Sequence, residues 1–129
     1  MADYRTHACV FCHPAPDRVV ASNEFAYAVR DTSPVTPMHT LILPRRHVAS
    51  YFDMAPEEDR AIRDLLSLLR QEIEAADPVV EGFNIGINVG EVAGQTIFHC
   101  HVHLIPRRRG DVANPRGGVR AVIPGKANY

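Results

Sequence analysis

The sequence predicts an α+β domain: antiparallel strands form a meander sheet, one long helix packs on it, and an extended C-terminal tail follows. Three observations predict this fold. Apolar residues recur at helical spacing after Pro56, apolar and small polar residues alternate at 83–89, and a basic stretch at 107–129 contains Gly and Pro without a regular pattern. Because 129 residues is the usual size of one domain, we expect residues 1–129 to form a single domain.

Four strands are predicted from alternation and from the turn residues between them. The first two span 25–30 and 38–43 and are joined by a segment rich in Thr, Ser and Pro. A third strand is predicted at 83–89 and a fourth at 95–105. Residues 90–94 begin and end with glycine, so they are predicted to form a loop that separates these two strands.

The predicted helix begins after Ala55. Pro56 and the two glutamates that follow it are residue types that the first helical turn favours. The helix should end before Asp77, because Pro78 follows. Its apolar residues fall at helical spacing and predict one face packed on the sheet; they are Ile62, Leu65, Leu66, Leu69 and Ile73.

Composition and charge exclude several classes of protein. No apolar run approaches the ~20 residues of a membrane-spanning helix, and the N-terminus lacks a signal pattern, so we expect a cytoplasmic protein without a membrane partner. A net charge of −1 argues against a general nucleic-acid binder. Residues 107–129 hold six basic side chains and one acidic one, which suits either an anionic small ligand or a solvated basic end.

Three of the seven histidines alternate with apolar residues in the fourth predicted strand. Because side chains alternate across a strand, His99, His101 and His103 are expected on one face, separated by roughly 6.6 Å, with Cys100 on the core face. Such a row can be a polar outer face, a three-histidine metal site of the kind found in zinc hydrolases, or a site for chemistry at phosphorus.

The residues before this row favour the third interpretation. Glycine lets backbone N–H groups approach an anion closely, and Gly94 ends the loop that starts at Gly90. Thr96 adds a hydroxyl donor. A phosphate-binding loop next to a row of imidazoles fits phosphoryl chemistry better than a metal hydrolase.

The segment Gly-Gln-Thr-Ile-Phe-His-Cys-His-Val-His-Leu-Ile at 94–105 resembles the signature of the histidine triad (HIT) nucleotide-binding family. The resemblance extends to Cys-Val-Phe-Cys at 9–12 and to the segments 30–47 and 82–88. Residues 106–111 resemble the branch that hydrolyses diadenosine polyphosphates. The resemblance implies the HIT-like fold over the whole domain and a homodimer.

The resemblance also implies a role for each site residue. The middle histidine, His101, is expected to attack the α-phosphorus and form a covalent nucleotidyl-histidine, and His103 to contact the α-phosphate and the leaving group. His99 and His39 complete the catalytic set, His39 from the adjacent strand. The implied substrate-binding residues are Asp31 for the ribose and Asn88, Gly94, Gln95, Thr96, His101 and His103 for the phosphate.

The implied activity is that of a hydrolase or nucleotidyl transferase without a metal in its chemistry. Its substrates would be purine nucleotide derivatives, such as a dinucleoside polyphosphate or a nucleoside phosphoramidate, and AMP would be a ligand. The alternative is a nucleotide-binding module with little turnover.

The cysteines predict a second site. The sequence has three cysteines, and this odd number argues against a secreted disulfide framework. Cys9 and Cys12 have the spacing of zinc ligands. His47 and His99 could complete a tetrahedral site, and bacterial-type members that the sequence resembles hold a structural Zn²⁺ with these four positions. The alternative is a redox pair, although the motif lacks the strand and helix of a thioredoxin-like context.

Overall fold

The fold consists of one long helix on an open five-stranded sheet, which confirms the predicted α+β class. The computed structural model describes residues 9–129. The strands are β1 (Val19–Ser22), β2 (Ala26–Arg30), β3 (Thr40–Pro44), β4 (Gly82–Ile87) and β5 (Val102–Arg107), and the helix is α1 (Pro56–Ala76). Short 3-10 turns lie at Pro16–Arg18, Tyr51–Asp53, Glu91–Ala93 and Gly118–Val122.

The sheet differs from a simple meander. Its order is β1-β2-β3-β5-β4, and every neighbouring pair is antiparallel. After β3 the chain passes through α1 to the far edge of the sheet, where it forms β4. It then returns as β5, which lies between β3 and β4. The first strand, β1, was not predicted, because its four residues are too few to show a clear alternation.

The predicted strand at 95–105 is wrong over its first half, since β5 begins only at Val102. The backbone of the preceding segment leaves the sheet ladder, and Cys100 N–H donates to Val48 O in the loop after β3. His99 and His101 therefore precede the strand, and the expectation that three histidines project from one strand face holds only for His103.

Helix α1 begins and ends where the sequence predicted. Glu58 accepts a hydrogen bond from the Ala55 backbone N–H and also binds Arg46, which fixes the first turn against the loop after β3. Its buried face packs on one side of the sheet, and burial of each large side chain contributes about 1.5–3 kcal/mol. The cluster contains Ala61, Ile62, Leu65, Leu69 and Ile73 from α1 against Ala26, Ala28, Ile42, Val102 and Leu104 from the sheet.

The opposite face of the sheet carries the site. Pairing registers align Val29 of β2 with Leu41 of β3, then His103 of β5, then Gly86 of β4, in one row across the sheet. Because side chains alternate, this row points away from α1. Phe11 packs over the same face, against a second apolar cluster that includes Val29 and Leu41.

The C-terminal segment folds back on itself and on the β4 edge. Arg107 binds Asp111 and Asn84, Arg108 binds Asp77, and Arg109 binds Glu81. Three of the six basic residues are therefore paired with acids of the same domain. Further on, the guanidinium groups of Arg116 and Arg120 lie 4.9 and 4.7 Å from the centre of the Tyr129 ring.

Among the residues that the structure describes, no helix is both long and apolar enough to cross a bilayer.

Candidate functional site

A cavity of about 480 Å³ opens on the sheet face opposite α1. This volume lies in the range of small-molecule sites. One part of its lining is polar and includes Asp31, Asn88, Gly94, Thr96, His101 and His103. The other part is mainly apolar and includes Val10, Phe11, Pro14, Ala15, Val29, Leu41 and Ile97. Six of the predicted site residues are thus brought together at one cavity.

The backbone fixes which ring nitrogen of neutral His101 carries the proton. Its Nδ1 lies 2.8 Å from His99 O, and a carbonyl oxygen only accepts, so Nδ1 carries the proton of the neutral ring. Nε2 is then unprotonated, with a free lone pair. Phe11 packs on the imidazole at 5.2 Å between ring centres and holds the ring in position. His101 therefore has the form that a nucleophile at phosphorus needs.

A chain of hydrogen bonds fixes the proton of His103 in the same way. The Val35 backbone N–H donates to His39 Nδ1 at 3.0 Å, so His39 carries its proton on Nε2. His39 Nε2 lies 2.9 Å from His103 Nδ1 and donates to it. His103 is left with its proton on Nε2, as a donor. His103 lines the cavity, so this donor is available to an anionic ligand.

Burial keeps both of these histidines neutral. Burial and, to a smaller extent, the neighbouring His101 and His39 lower the pKa of His103 to about 4, against the opposing effect of Asp31. Burial also lowers the pKa of His39, against the opposing effect of Asp31. Asp31 Oδ2 lies 3.5 Å from His39 Nε2, while its other carboxylate oxygen accepts from the Ser33 N–H at 2.8 Å. Asp31 is therefore held in place at the cavity wall.

The loop before the histidines is rigid. Gly94 has φ of +94°, a left-handed conformation that favours glycine. Gln95 is buried: its amide oxygen accepts from Gly90 N–H, and its amide nitrogen donates to Ala49 O and Ile97 O. The Gln95 side chain thus supports the loop and does not line the cavity, unlike the substrate contact predicted for it.

His99 is also absent from the cavity lining. It is fully buried, its Nε2 donates to Pro44 O at 2.7 Å, and its Nδ1 faces Cys9 and Cys12 at 3.4 and 3.7 Å from their sulfur atoms. His47 Nδ1 lies 3.1 Å from the sulfur of Cys12. Four potential ligand atoms lie within 4.8 Å of one another, so the four predicted metal residues do converge.

This donor set fits a tetrahedral metal ion. Zn²⁺ with ligands at about 2.0–2.3 Å places neighbouring ligand atoms roughly 3.3–3.8 Å apart, close to the distances found here. The hydrogen bond from His99 Nε2 to Pro44 O leaves Nδ1 unprotonated, as a metal ligand must be. A redox pair is less favoured, because burial and the neighbouring Cys9 raise the pKa of the Cys12 thiol to about 11.

The geometry argues against a single metal held by the three histidines of the 99–103 segment. His99 directs Nδ1 to the cysteines, and Nδ1 of His101 is engaged by a carbonyl. Within residues 9–129, the other group of possible ligands within metal distance is Asp31, His39 and His103, which the hydrogen-bond chain already connects.

Sequence reasoning missed part of the cavity wall. Phe11, between the two cysteines of the Cys-x-x-Cys motif, and Arg18, at the start of β1, both line the cavity. Neither belongs to a recognisable motif of its own. The position of Phe11 between two predicted metal ligands was the one available indication, since a metal would fix its backbone.

Comparison with known proteins gives consistent matches. Residues 13–110 match the family model described as the HIT domain. The chain is 36% identical over 109 residues to an uncharacterised HIT-like protein of Mycobacterium tuberculosis, covering 80% of this chain and 74% of that protein.

Two solved structures are similar in fold. One is a Zn-bound histidine triad family protein from Mycobacterium smegmatis, with a TM-score of 0.74, 32% identity and coverage of 84% of this chain and 81% of that one. The other is the diadenosine triphosphate hydrolase of Plasmodium falciparum in complex with Cyclomarin A, with a TM-score of 0.71, 27% identity and coverage of 78% and 67%.

Proposed function

The chain belongs to the HIT domain family, and from this premise we propose that it binds a purine nucleotide and cleaves its derivatives at the α-phosphate through His101. The observation that carries the proposal is the hydrogen bond from His101 Nδ1 to His99 O, which leaves the Nε2 lone pair available as a nucleophile. The same cavity is lined by His103 and Thr96, which can donate hydrogen bonds to a phosphate. The similar fold of a diadenosine triphosphate hydrolase supports the same class of reaction.

In the first step, His101 Nε2 forms a bond to the α-phosphorus while the bond from phosphorus to the leaving group breaks. The ring then carries a positive charge, which the His99 carbonyl at 2.8 Å stabilises through Nδ1–H. His103 Nε2–H donates a hydrogen bond to the phosphate or to the departing atom. A polyphosphate oxygen leaves as an anion, whereas a phosphoramidate nitrogen takes up a proton from solvent as it leaves. The Thr96 hydroxyl offers a further donor for the phosphate oxygens, whereas the backbone N–H groups of Gly94 and Gln95 donate to Glu91 O and Gly90 O within the loop.

In the second step, water attacks the same phosphorus and the bond to Nε2 breaks. The products are a nucleoside monophosphate, a proton released to solvent and His101 in its original form. Asp31 at the cavity wall is proposed to accept hydrogen bonds from the ribose hydroxyls, and the apolar part of the cavity to enclose the base.

The test compares wild type with His101→Ala on an adenosine phosphoramidate and a diadenosine polyphosphate. We expect wild type to release AMP and the variant to lose at least ~10³ of kcat, because no other group replaces the nucleophile. AMP should still bind the variant. If wild type binds AMP but turns over neither substrate, the protein is a nucleotide-binding module and the enzymatic proposal fails.

We further propose that Cys9, Cys12, His47 and His99 hold a structural Zn²⁺, which supplies a cross-link between the N-terminal segment and the loop before β5. No step of the reaction requires it. Metal analysis should find about one zinc per chain in wild type and none in Cys12→Ser, whose melting temperature should fall. A wild-type protein purified without metal, or with metal unaffected by Cys12→Ser, would contradict this assignment.

The homodimer is likewise proposed. Among the described residues, β4 pairs with β5 on one side only; the C-terminal turn contacts Asn84, but Ile85 is 53% exposed, so we assign the part of the edge around Ile85 to a second copy. Light scattering should give twice the chain mass for wild type and a monomer for Ile85→Asp. A wild-type monomer at micromolar concentration would exclude this assembly.

A further inference from the structure

Arg18 lines the cavity, and its backbone directly precedes β1, three strands away from His103 in β5. It directly precedes Val19 of β1, which pairs with Val29 of β2, and Val29 belongs to the row that continues through Leu41 to His103. The backbone at Arg18 is therefore about three strand spacings, roughly 14 Å, from His103. A ligand group that meets Arg18 is separated from the phosphorus attacked by His101.

The guanidinium of Arg18 is held by one hydrogen bond and keeps further N–H donors. One terminal nitrogen, Nη2, donates to Arg30 O at 3.0 Å, next to Asp31. A guanidinium has five N–H donors and no acceptor, and among residues 9–129 Arg30 O is the one acceptor bonded to it, so within this part of the chain further donors remain for a ligand. The side chain lines the cavity beside Pro14, Ala15 and Val29, which are apolar. An apolar slot with a donor-only group at its rim fits a flat ring whose edge carries acceptors.

We propose that Arg18 recognises the O6 and N7 edge of a 6-oxopurine, so that the site prefers guanine and hypoxanthine nucleotides to adenine nucleotides. The inference rests on the proposed function, because it assumes that the base occupies the apolar end of the cavity. Guanine and hypoxanthine present two acceptors on this edge, which match the paired donors of a guanidinium.

Adenine presents a mismatched edge to the same group. Its N7 accepts, but its N6 amino group is a donor, which faces the donors of Arg18. Because the side chain is exposed at the rim, solvent weakens the discrimination, and we expect the lower end of what a bidentate arginine gives. The expected preference is about fivefold to tenfold in Kd.

The experiment measures the Kd of GMP, IMP, AMP and 7-deaza-GMP by calorimetry for the full chain. Wild type should bind GMP and IMP alike and more tightly than AMP, and 7-deaza-GMP should lose part of this advantage. Arg18→Ala and Arg18→Lys should weaken GMP and IMP more than AMP, so that the three Kd values become similar; lysine does not restore the preference because it keeps the charge but lacks the paired donors.

Arg63→Ala is the matched control, since Arg63 is exposed on α1, on the other face of the sheet. It should leave all four values unchanged. Equal binding of GMP and AMP by wild type, or an equal loss for both in Arg18→Ala, overturns the inference and leaves the proposed function standing. If no nucleotide binds wild type, the proposed function itself fails and the inference fails with it.

Discussion

Two backbone groups decide where the protons of the site histidines lie. The His99 carbonyl holds the proton of His101 on Nδ1, and the Val35 N–H holds the proton of His39 on Nε2. His103 receives its orientation from His39. Within residues 9–129, the hydrogen bonds of the His101 and His103 rings go to a backbone carbonyl and to the neutral His39, which leaves His101 Nε2 as the nucleophile and His103 Nε2–H as the donor.

Substitution of His39 tests this chain of hydrogen bonds. His39→Ala removes the donor to His103 Nδ1, so the neutral ring can place its proton on either nitrogen, and we expect kcat to fall about 10–100-fold with little change in KM. His39→Gln keeps an amide donor and should retain more activity. Nitrogen NMR of labelled His103 should show a single Nε2–H tautomer in wild type and a mixture in His39→Ala. An unchanged kcat in His39→Ala would contradict the role.

Phe11 and Arg18 line the cavity, but no local sequence pattern indicates this. His101 and His103 belong to a segment whose spacing alone suggested chemistry, Asp31 came from the family resemblance, and all three line the cavity. Phe11 and Arg18 reach the same cavity only because the N-terminal segment folds over β2 and β3. Such tertiary contacts leave no local pattern.

At the scale of elements, the helix was predictable and the start of β5 was not. Helix α1 combines a proline at its first position, acids in its first turn and a strict apolar periodicity, so local preferences and packing agree. The segment before β5 has the alternation of a strand, but the left-handed Gly94 and the contacts of His99 with Pro44 and the cysteines draw it out of the sheet. Tertiary contacts outweigh the local pattern there.

The loop 90–96 provides the prediction at this scale. Gln95→Ala removes three hydrogen bonds that tie the loop to Gly90, Ala49 and Ile97. We expect the free energy of unfolding to fall by about 1–3 kcal/mol, because buried backbone groups lose their partners. Nucleotide affinity should fall as well, since the loop no longer holds the Thr96 hydroxyl in place at the cavity wall.

The matched control is Glu91→Ala, an exposed change in the same loop. Urea denaturation and calorimetry measure both effects. Loss of affinity without any loss of stability in Gln95→Ala would mean that Gln95 contacts the ligand directly, as the sequence had suggested, and not through the loop.

For the whole molecule, the buried histidines predict a dependence of stability on pH. Burial lowers the pKa of His39, His99 and His103 in the native state, to about 4 for His103. In the unfolded chain each histidine takes up a proton near pH 6.5. As the pH falls from about 6.5 towards 4, the unfolded state therefore binds more protons than the native state, and the free energy of unfolding decreases.

Urea denaturation between about pH 7.5 and 4.5 measures this decrease. Glu58 and Asp77 also have lowered pKa values, caused mainly by their bonds to Arg46 and Arg108, but their contribution is lost only below about pH 4.5. His103→Asn should make the decrease shallower above that limit. A stability that stays constant from pH 7.5 to 5 would show that His103 takes up its proton in the native state as readily as in the unfolded chain.

The row from Val29 to His103 also selects a ligand by its length. Two strand spacings, about 10 Å, separate the two backbones, and hydrogen bonds between the strands set this distance whatever side chains are present. If the spacer between the ring and the phosphorus is longer or shorter than a ribose, the compound would contact one end of the cavity but not the other. Substitutions at Arg18 can change which ring is preferred, but they leave the spacing between these strands unchanged.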